Sequence, residues 1–427
     1  MSHNTWKRFL LAAFAVSVVA TAAFAGKDDD DEKPKRNKKK NKKQTQAVFA
    51  QLPAGVLRMP YLQGLATDSV LVAWIATADG VPAVDYGTSP SFGATVAATS
   101  DGARRAALLR GLTPGTTYFY RVRSGDRTLA EGPEFTFKTD AGRKDSRFTF
   151  FVTGDVGDPD GEHAKTAASI LRATPQPELG LICGDVVYDD GRSEDYDVNL
   201  MLPWKGLLCR IPVWPALGNH DWHVDPNENF RSEWYLPNNE HYYSYDWGTA
   251  HFIALDTRDS EIYDVDNQVR WLEQDLQSHR SADWTFVFYH HPGLTCTYKG
   301  NTAKVVERLL PVFDRYNVDV VFNGHAHTYE RLYPIRDRKP VDMAQDPNYV
   351  DPKGTIYIVS GAGSKVKTGE PTHRCGPTAF FRDATVLWTL VDVDGGRCSI
   401  RSRTSDGDKP VDEVTITKTR LSQRSSN

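Results

Sequence analysis

The chain has 427 residues, 40% of them hydrophobic, which is enough for two or three domains with a large core. Its formal net charge is −4, but the first 45 residues hold 11 of the 51 Lys and Arg and only 5 of the 55 acidic residues, leaving 40 basic and 50 acidic groups, a net of −10, in the rest. An acidic body excludes a broad nucleic-acid surface, which needs a basic footprint.

The N-terminus reads as an export signal. Lys7-Arg8 supplies a charged start, Phe9 to Ala20 a short apolar run, and Ala23-Phe24-Ala25 small residues before a cleavage that leaves Gly26 first. The run is shorter than the ~20 residues that span a bilayer, so a cleaved signal over residues 1–25 is favoured over a membrane anchor. No later segment is apolar enough to span, and the mature protein is expected outside the cytoplasm, secreted or periplasmic. Residues 26–52, with an acidic block (Asp28 to Glu32) and a lysine-rich block (Lys33 to Lys43), lack apolar periodicity and read as a disordered, solvated linker. Adhesion of the lysine block to an anionic surface is the sharper alternative.

Residues 53–139 form a separate all-β unit. Alternating runs such as Ser69 to Trp74 and Thr117 to Val122 are divided by turn signals at Asp79-Gly80, Thr88-Ser89-Pro90 and Pro114-Gly115. The stretch Leu112 to Val122 resembles the tyrosine-bearing corner of a fibronectin type III domain. Trp74 is expected in its core. The charged stretch at Arg143-Lys144-Asp145 then marks a boundary.

From 146 to 419 the pattern changes, and residues 420–427 are a tail. Apolar, β-branched runs at Phe148 to Thr153, Leu179 to Cys183, Val213 to Leu217, Phe252 to Leu255, Phe286 to Tyr289, Val318 to Phe322 and Ile356 to Val359 alternate with helical stretches, notably Asp266 to Ser278 and Ala303 to Tyr316. Further strands are expected at Leu387 to Val393, Ser399 to Arg403 and Val414 to Thr417. Continuous apolar runs suit strands buried on both faces, hence an α/β sandwich of two mixed sheets flanked by helices.

Five clusters follow these runs: Gly154-Asp155-Val156-Gly157, Gly184-Asp185-Val186-Val187-Tyr188, Gly218-Asn219-His220-Asp221, Val287-Phe288-Tyr289-His290 and Gly324-His325-Ala326-His327. In open α/β sheets function gathers at the carboxyl ends of strands. Any one cluster is an ordinary turn or loop. Together they supply hard oxygen and borderline imidazole donors in the number that a site for two metal ions needs, and they point to a metal-dependent phosphoesterase.

On these residues the chain resembles the calcineurin-like metallophosphoesterases and, within them, the purple acid phosphatases. Gly157 stands where most of the superfamily has a metal-binding His. Tyr188 follows Asp185 by three residues, and the last cluster continues as Thr328-Tyr329-Glu330-Arg331 before Gly354 to Val359 and Gly361-Ala362-Gly363. The resemblance implies that Asp155, Tyr188 and His327 hold Fe(III), that Asp185 bridges, and that Asn219, His290 and His325 complete a second site for divalent Fe, Zn or Mn. It implies in-line attack of a metal-bound hydroxide on a phosphomonoester, with His220 contacting the phosphate and protonating the leaving oxygen. Asp221 is expected to orient or charge that imidazole.

The substrate-facing shell departs from the family. Relatives often carry a His about nine residues after the fourth-cluster ligand; here Lys299 stands near that place. Lysine supplies charge to a phosphate but no proton near neutral pH without a large shift. His291, His223 and Tyr298 are the neighbours able to take part, whereas His241, His251 and Asp256 read as structural. Gly361-Ala362-Gly363-Ser364-Lys365 lacks Walker spacing and reads as a strand-end turn.

The five cysteines are Cys183, Cys209, Cys296, Cys375 and Cys398, an odd number that leaves at least one thiol unpaired. Cys183 sits in an apolar run as a buried small hydrophobe, and Cys296 and Cys375, in polar loops, are the candidate disulfide. The favoured partner is a small phosphate ester. The alternatives are a phosphodiesterase or nucleotide pyrophosphatase at the same metals, and a non-catalytic binding protein.

Overall fold

Phe286, Val287, Phe288 and Tyr289 show how the catalytic region is layered. In a strand successive side chains point to opposite faces. Phe286 and Phe288 join one core with Phe150, Phe252 and Phe322, while Val287 and Tyr289 join a second with Leu272, Leu276 and Phe313. The first core lies between two sheets: the Phe150 ring meets Phe252 at 5.1 Å and Phe286 at 5.0 Å, both edge to face. The second lies between one sheet and the helices Val265–Ser278, Ala303–Arg308 and Leu310–Tyr316. In this computed structural model the described residues are 52–421 apart from 145, 160–161, 223–228, 258–262 and 368–375. The expected signal and the expected linker up to residue 51, with His223 and Cys375, therefore lie outside the described residues.

Both large sheets are mixed and seven-stranded, as expected for the α/β sandwich. In the first, Val213–Ala216, Leu179–Cys183 and Arg147–Thr153 run parallel, Leu387–Asp394, Arg397–Thr404 and Pro410–Thr417 continue it in antiparallel pairs, and Asn348–Val350 closes the edge parallel to the last of them. In the second, Ala250–Ala254, Trp284–Tyr289, Val320–Asn323 and Ile356–Ser360 are parallel. Tyr243–Trp247 flanks them antiparallel on one side and Tyr329–Leu332 on the other, where Thr378–Arg382 pairs antiparallel with Tyr329–Leu332 at the edge. The stretch expected as one helix from Ala303 to Tyr316 is two, with Pro311 in the first turn of the second. A proline has no N–H for a continuous ladder but suits a helix start.

The N-terminal unit is an all-β sandwich. One sheet holds Val56–Gln63, Ser69–Ala76, Arg104–Arg110 and Thr99–Asp101; the other is built on Pro82–Gly87 and Thr117–Ser124. Trp74 is buried in its core as expected. The Tyr118 hydroxyl accepts the Thr113 N–H at 2.9 Å and closes the corner before its strand. The sandwich docks on the catalytic region through polar contacts. Tyr120 donates to the Cys209 carbonyl at 2.6 Å, Gln63 to that of Val213 at 3.1 Å, and the buried Arg58 reaches Asp197 at 2.6 Å as well as Glu233.

Candidate metal centre

Five parallel strands, Arg147–Thr153, Leu179–Cys183, Val213–Ala216, Trp284–Tyr289 and Val320–Asn323, deliver the five clusters from their carboxyl ends. The loops are stitched to one another by backbone hydrogen bonds: Asp155 N–H to Gly184 O at 3.1 Å, Tyr188 N–H to Gly157 O at 3.0 Å and Gly324 N–H to His290 O at 3.1 Å. Such close approach explains the glycines. A Cβ on Gly157 would lie 2.1 Å from the Val186 carbonyl oxygen, and one on Gly218 would lie 2.2 Å from the Asp185 backbone nitrogen. Asp155, Asp185 and His325 adopt φ of 57°, 48° and 68°. Left-handed backbone at non-glycine residues costs roughly 1–3 kcal/mol each and clusters at functional sites.

The donors meet in two groups that share Asp185. In the first, the Tyr188 hydroxyl lies 2.9 Å from Asp155 Oδ1, 2.9 Å from Asp185 Oδ2 and 3.3 Å from His327 Nε2. In the second, His290 Nε2 lies 3.3 Å from Asp185 Oδ1 and 3.1 Å from Asn219 Oδ1, and the His325 ring packs on His290 with centroids 5.0 Å apart. Ligands about 2.1 Å from a common ion, at right angles, lie about 3 Å from each other, so these spacings suit a coordination shell. The charges fit as well. Burial, then the Asp155 and Asp185 carboxylates, push the Tyr188 phenol well above its usual range. A phenol held between two buried carboxylates is a place for a strong cation, which would take up the charge of all three oxygens. His290 turns Nδ1 to the Cys183 carbonyl at 2.8 Å, which fixes that nitrogen as the donor and leaves Nε2 facing the site. The residues present thus fit two metal ions.

His220 stands at the mouth, partly exposed, its ring 4.4 Å from that of Tyr188 and its Nε2 4.0 Å from Asp185 Oδ2. Asp221, the expected partner of that imidazole, is engaged by backbone groups. Its buried carboxylate accepts the N–H groups of Gly218 (2.9 Å), Val186 (2.9 Å) and Val187 (3.1 Å), so it staples the Asn219 loop to the Asp185 loop. His220 is oriented instead by the Asp189 carbonyl, 2.5 Å from Nδ1. Burial and then Asp185 push Asp221 up to about 7 against those backbone donors.

His291 is fully buried behind the site. Its ring lies 4.3 Å from that of His325, and its Nε2 has no hydrogen-bond partner among the described residues. Burial, then His291, His290 and the Lys299 ammonium hold His325 well below its usual range. Cys296, in the same loop, is disulfide-bonded, and Cys183, Cys209 and Cys398 are free and buried. His241 and His251 lie apart, each paired to carboxylate. His241 meets Asp256 at 3.2 Å, and His251 is clasped by Asp246 and Asp275 at 2.7 Å each.

Sequence reasoning missed Lys365 and Lys367. The turn Gly361 to Ser364 binds back on the first cluster, with Gly363 N–H to Gly154 O at 3.0 Å and Ser364 Oγ to Asp155 O at 2.9 Å. The chain leaving it carries Lys365 over the Tyr188 ring, Nζ 4.5 Å from the centroid, and Lys367 over Tyr298 at 5.1 Å. The only signal in the sequence was the position of these lysines just after a strand end.

Two family models match the chain in order: the purple acid phosphatase N-terminal domain over residues 60–139 and the calcineurin-like phosphoesterase over 148–329. The chain thus carries a calcineurin-like phosphoesterase domain preceded by a purple acid phosphatase N-terminal domain. It is similar to purple acid phosphatase 18 of Arabidopsis thaliana, 26% identical over 90% of this chain and 85% of that one. It is also similar to acid phosphatase type 7 of Homo sapiens, 27% identical over 74% of this chain and 77% of that one. A solved purple acid phosphatase from yellow lupin (Lupinus luteus) seeds shares the fold, with a TM-score of 0.74 at 21% identity over 84% of this chain and 74% of that one. By its domains and these likenesses the chain is a metal-dependent acid phosphatase, and they imply a dinuclear centre. Among the described residues no helix is long and apolar enough to cross a membrane.

Proposed function

We propose that this protein is an exported purple acid phosphatase, which hydrolyses phosphomonoesters at a centre of Fe(III) and a divalent ion, Fe, Zn or Mn. Asp185 carries the reading, with one oxygen in the Tyr188 group at 2.9 Å and the other in the His290 group at 3.3 Å, as a bridging carboxylate requires. Asp155, Tyr188 and His327 would hold the trivalent ion, to which phenolate and carboxylate are suited. Asn219, His290 and His325 would hold the divalent one. Two such ions supply charge for the phosphate and a nucleophile near neutral pH.

The chain's own residues do the rest. His220, with Nδ1–H directed to Asp189 O, keeps Nε2 at the open side, where it can bind a phosphate oxygen and give a proton to the leaving alcohol. Lys299 adds positive charge without serving as the acid. The buried walls restrict water and hold the reacting groups in place. The boundaries 53–139 and 146–419, export through residues 1–25, a charged tether over 26–52 and a Cys296–Cys375 bond belong to the same reading. Its supports are the N-terminal sequence and the bonded state of Cys296 beside three free thiols.

Metal analysis and a visible spectrum of the purified protein, with Tyr188→Phe beside it, test the centre. Two metals per chain and a charge-transfer band that disappears in the variant are expected. Protein without stoichiometric metal would leave only a binding role. A panel of aryl phosphate against bis-aryl phosphate tests the substrate, and faster turnover of the diester would favour the phosphodiesterase alternative.

A further inference from the structure

A second group of metal-type donors lies away from the catalytic centre, where the hairpin of Tyr243–Trp247 and Ala250–Ala254 meets the end of the helix Val265–Ser278. Asp246 and His251 are directly opposed across the antiparallel pair, which puts their side chains on one face. The helix carries Asp275 in its last turn and hands the chain to His279. His251 is in register with Thr285 on the neighbouring parallel strand, well before His290, so roughly 16 Å of strand at ~3.3 Å per residue separates the two levels. One donor atom each from Asp246, His251 and His279 lies within 4.8 Å of the other two.

An ion pair accounts for His251 alone, with Nδ1 at Asp246 Oδ1 and Nε2 at Asp275 Oδ2, 2.7 Å each. It does not account for the second imidazole, His279, stacked on the first at 3.8 Å and 10°. What joins the two rings is that one residue holds both from behind. Asp275 meets Nε2 of His251 with its carboxylate, and its backbone carbonyl accepts Nδ1–H of His279 at 2.7 Å. Ser244 fixes that carboxylate in turn, Oγ to Oδ1 at 2.8 Å. Metal-binding imidazoles are oriented in this manner, one nitrogen committed to a carboxylate or carbonyl and the other left for the ion. The nitrogens left are Nδ1 of His251, already beside Asp246, and Nε2 of His279. Asp246 is exposed and His279 half-buried, which gives a path from solvent and room for the small rotations that bring donors to the ~3.4 Å spacing of a tetrahedral shell. We propose that Asp246, His251 and His279 bind a divalent transition ion, zinc by the softness of two imidazoles with one carboxylate, at a site separate from the catalytic centre. The ion takes the place of the proton that His251 carries between its two carboxylates in the metal-free protein, and it ties the hairpin to the end of the helix.

The test counts zinc on the full-length protein by elemental analysis after dialysis and follows its binding by calorimetry, with His279→Gln and Asp246→Asn beside the wild type. The wild-type protein is expected to hold one zinc more per chain than either variant, and the variants to bind that zinc at least about tenfold more weakly. Zinc should raise the wild-type Tm and leave that of each variant unchanged, and calcium should do neither. Phosphatase activity should be the same in all three proteins, since neither substituted residue touches the catalytic centre. Equal zinc content in the wild type and the variants, or calcium bound as tightly as zinc, overturns the site and leaves the phosphatase reading intact. If the catalytic centre itself holds no metal, the phosphatase reading fails, and the difference of one zinc between wild type and variants still decides for or against this site.

Discussion

Arg58 offers the sharpest test of what the N-terminal sandwich does for the catalytic region. It lies on the strand Val56–Gln63 and is only 2% exposed, yet both its partners belong to the other region. Nε donates to Asp197 at 2.6 Å, and Nη1 donates to Glu233, which is fully buried and is met from the other side by Arg104 at 2.7 Å. Asp197 opens the turn Asp197–Met201, whose Asn199 donates to the Tyr188 carbonyl at 2.9 Å. Removing one member of a buried ion pair costs roughly 3–5 kcal/mol, because the charge left behind stays buried. Glu233 keeps Arg104, so Arg58→Met should cost about 3 kcal/mol, out of roughly 5–15 kcal/mol for a whole domain. Equilibrium denaturation followed by tryptophan fluorescence measures it, with Trp234 buried next to Tyr61 as a reporter. A double-mutant cycle with Glu233→Gln should return a coupling of about 2 kcal/mol. Burial would raise Glu233, but Arg58 and then Arg104 hold it below its usual range. The contribution is therefore present above about pH 4.5 and is lost as pH falls through the lowered value. An unchanged denaturation midpoint in Arg58→Met, with zero coupling, would refute the clamp and make the contact incidental.

Other consequences are as direct. His220→Ala should keep both metals and lower kcat by about 10²–10⁴-fold, and loss of metal with it would place His220 in the ligand shell. Asp221→Ala strands the N–H groups of Gly218, Val186 and Val187, and should cost about 3 kcal/mol and weaken metal retention, read by elemental analysis after dialysis. Burial would depress His251, yet its hydrogen bonds to Asp246 and then Asp275 push it up to about 9. The stabilisation is full below about pH 6.5 and is lost as pH rises through about 9, a change of about 3 kcal/mol that His251→Gln should abolish in a pH series of melting curves.

Much of the catalytic fold was legible because its strands are local facts. Leu179 to Cys183 is apolar from end to end, and a run of that kind specifies a strand buried on both faces whatever surrounds it. The helix Val265–Ser278 begins one residue before its expected start, since its apolar spacing and its first turn are set within the segment. Less legible were strands whose burial depends on distant partners. Tyr329–Leu332 contains Glu330 and Arg331, charged residues that read as surface. Both are buried because Thr295, Thr378 and the Cys296 N–H meet the first, and Asp412 meets the second at 2.7 Å.

The same division runs through the site. Donor identity belongs to the sequence: seven residues of the right chemistry, most of them set beside glycines at the ends of apolar runs, announce a metal centre before any fold is known. Which atoms they share their surroundings with does not. Asp221 sits next to His220 in the chain but is turned to three backbone N–H groups, and Asp189 takes its place as the orienting partner. Lys365 and Lys367 reach the site because a turn some 210 residues after Asp155 is bonded to that residue's own carbonyl. Side-chain chemistry and short-range periodicity are carried by neighbours along the chain. Register between loops is set only when the sheets stack and buried polar groups must find partners, and so only the tertiary structure decided it.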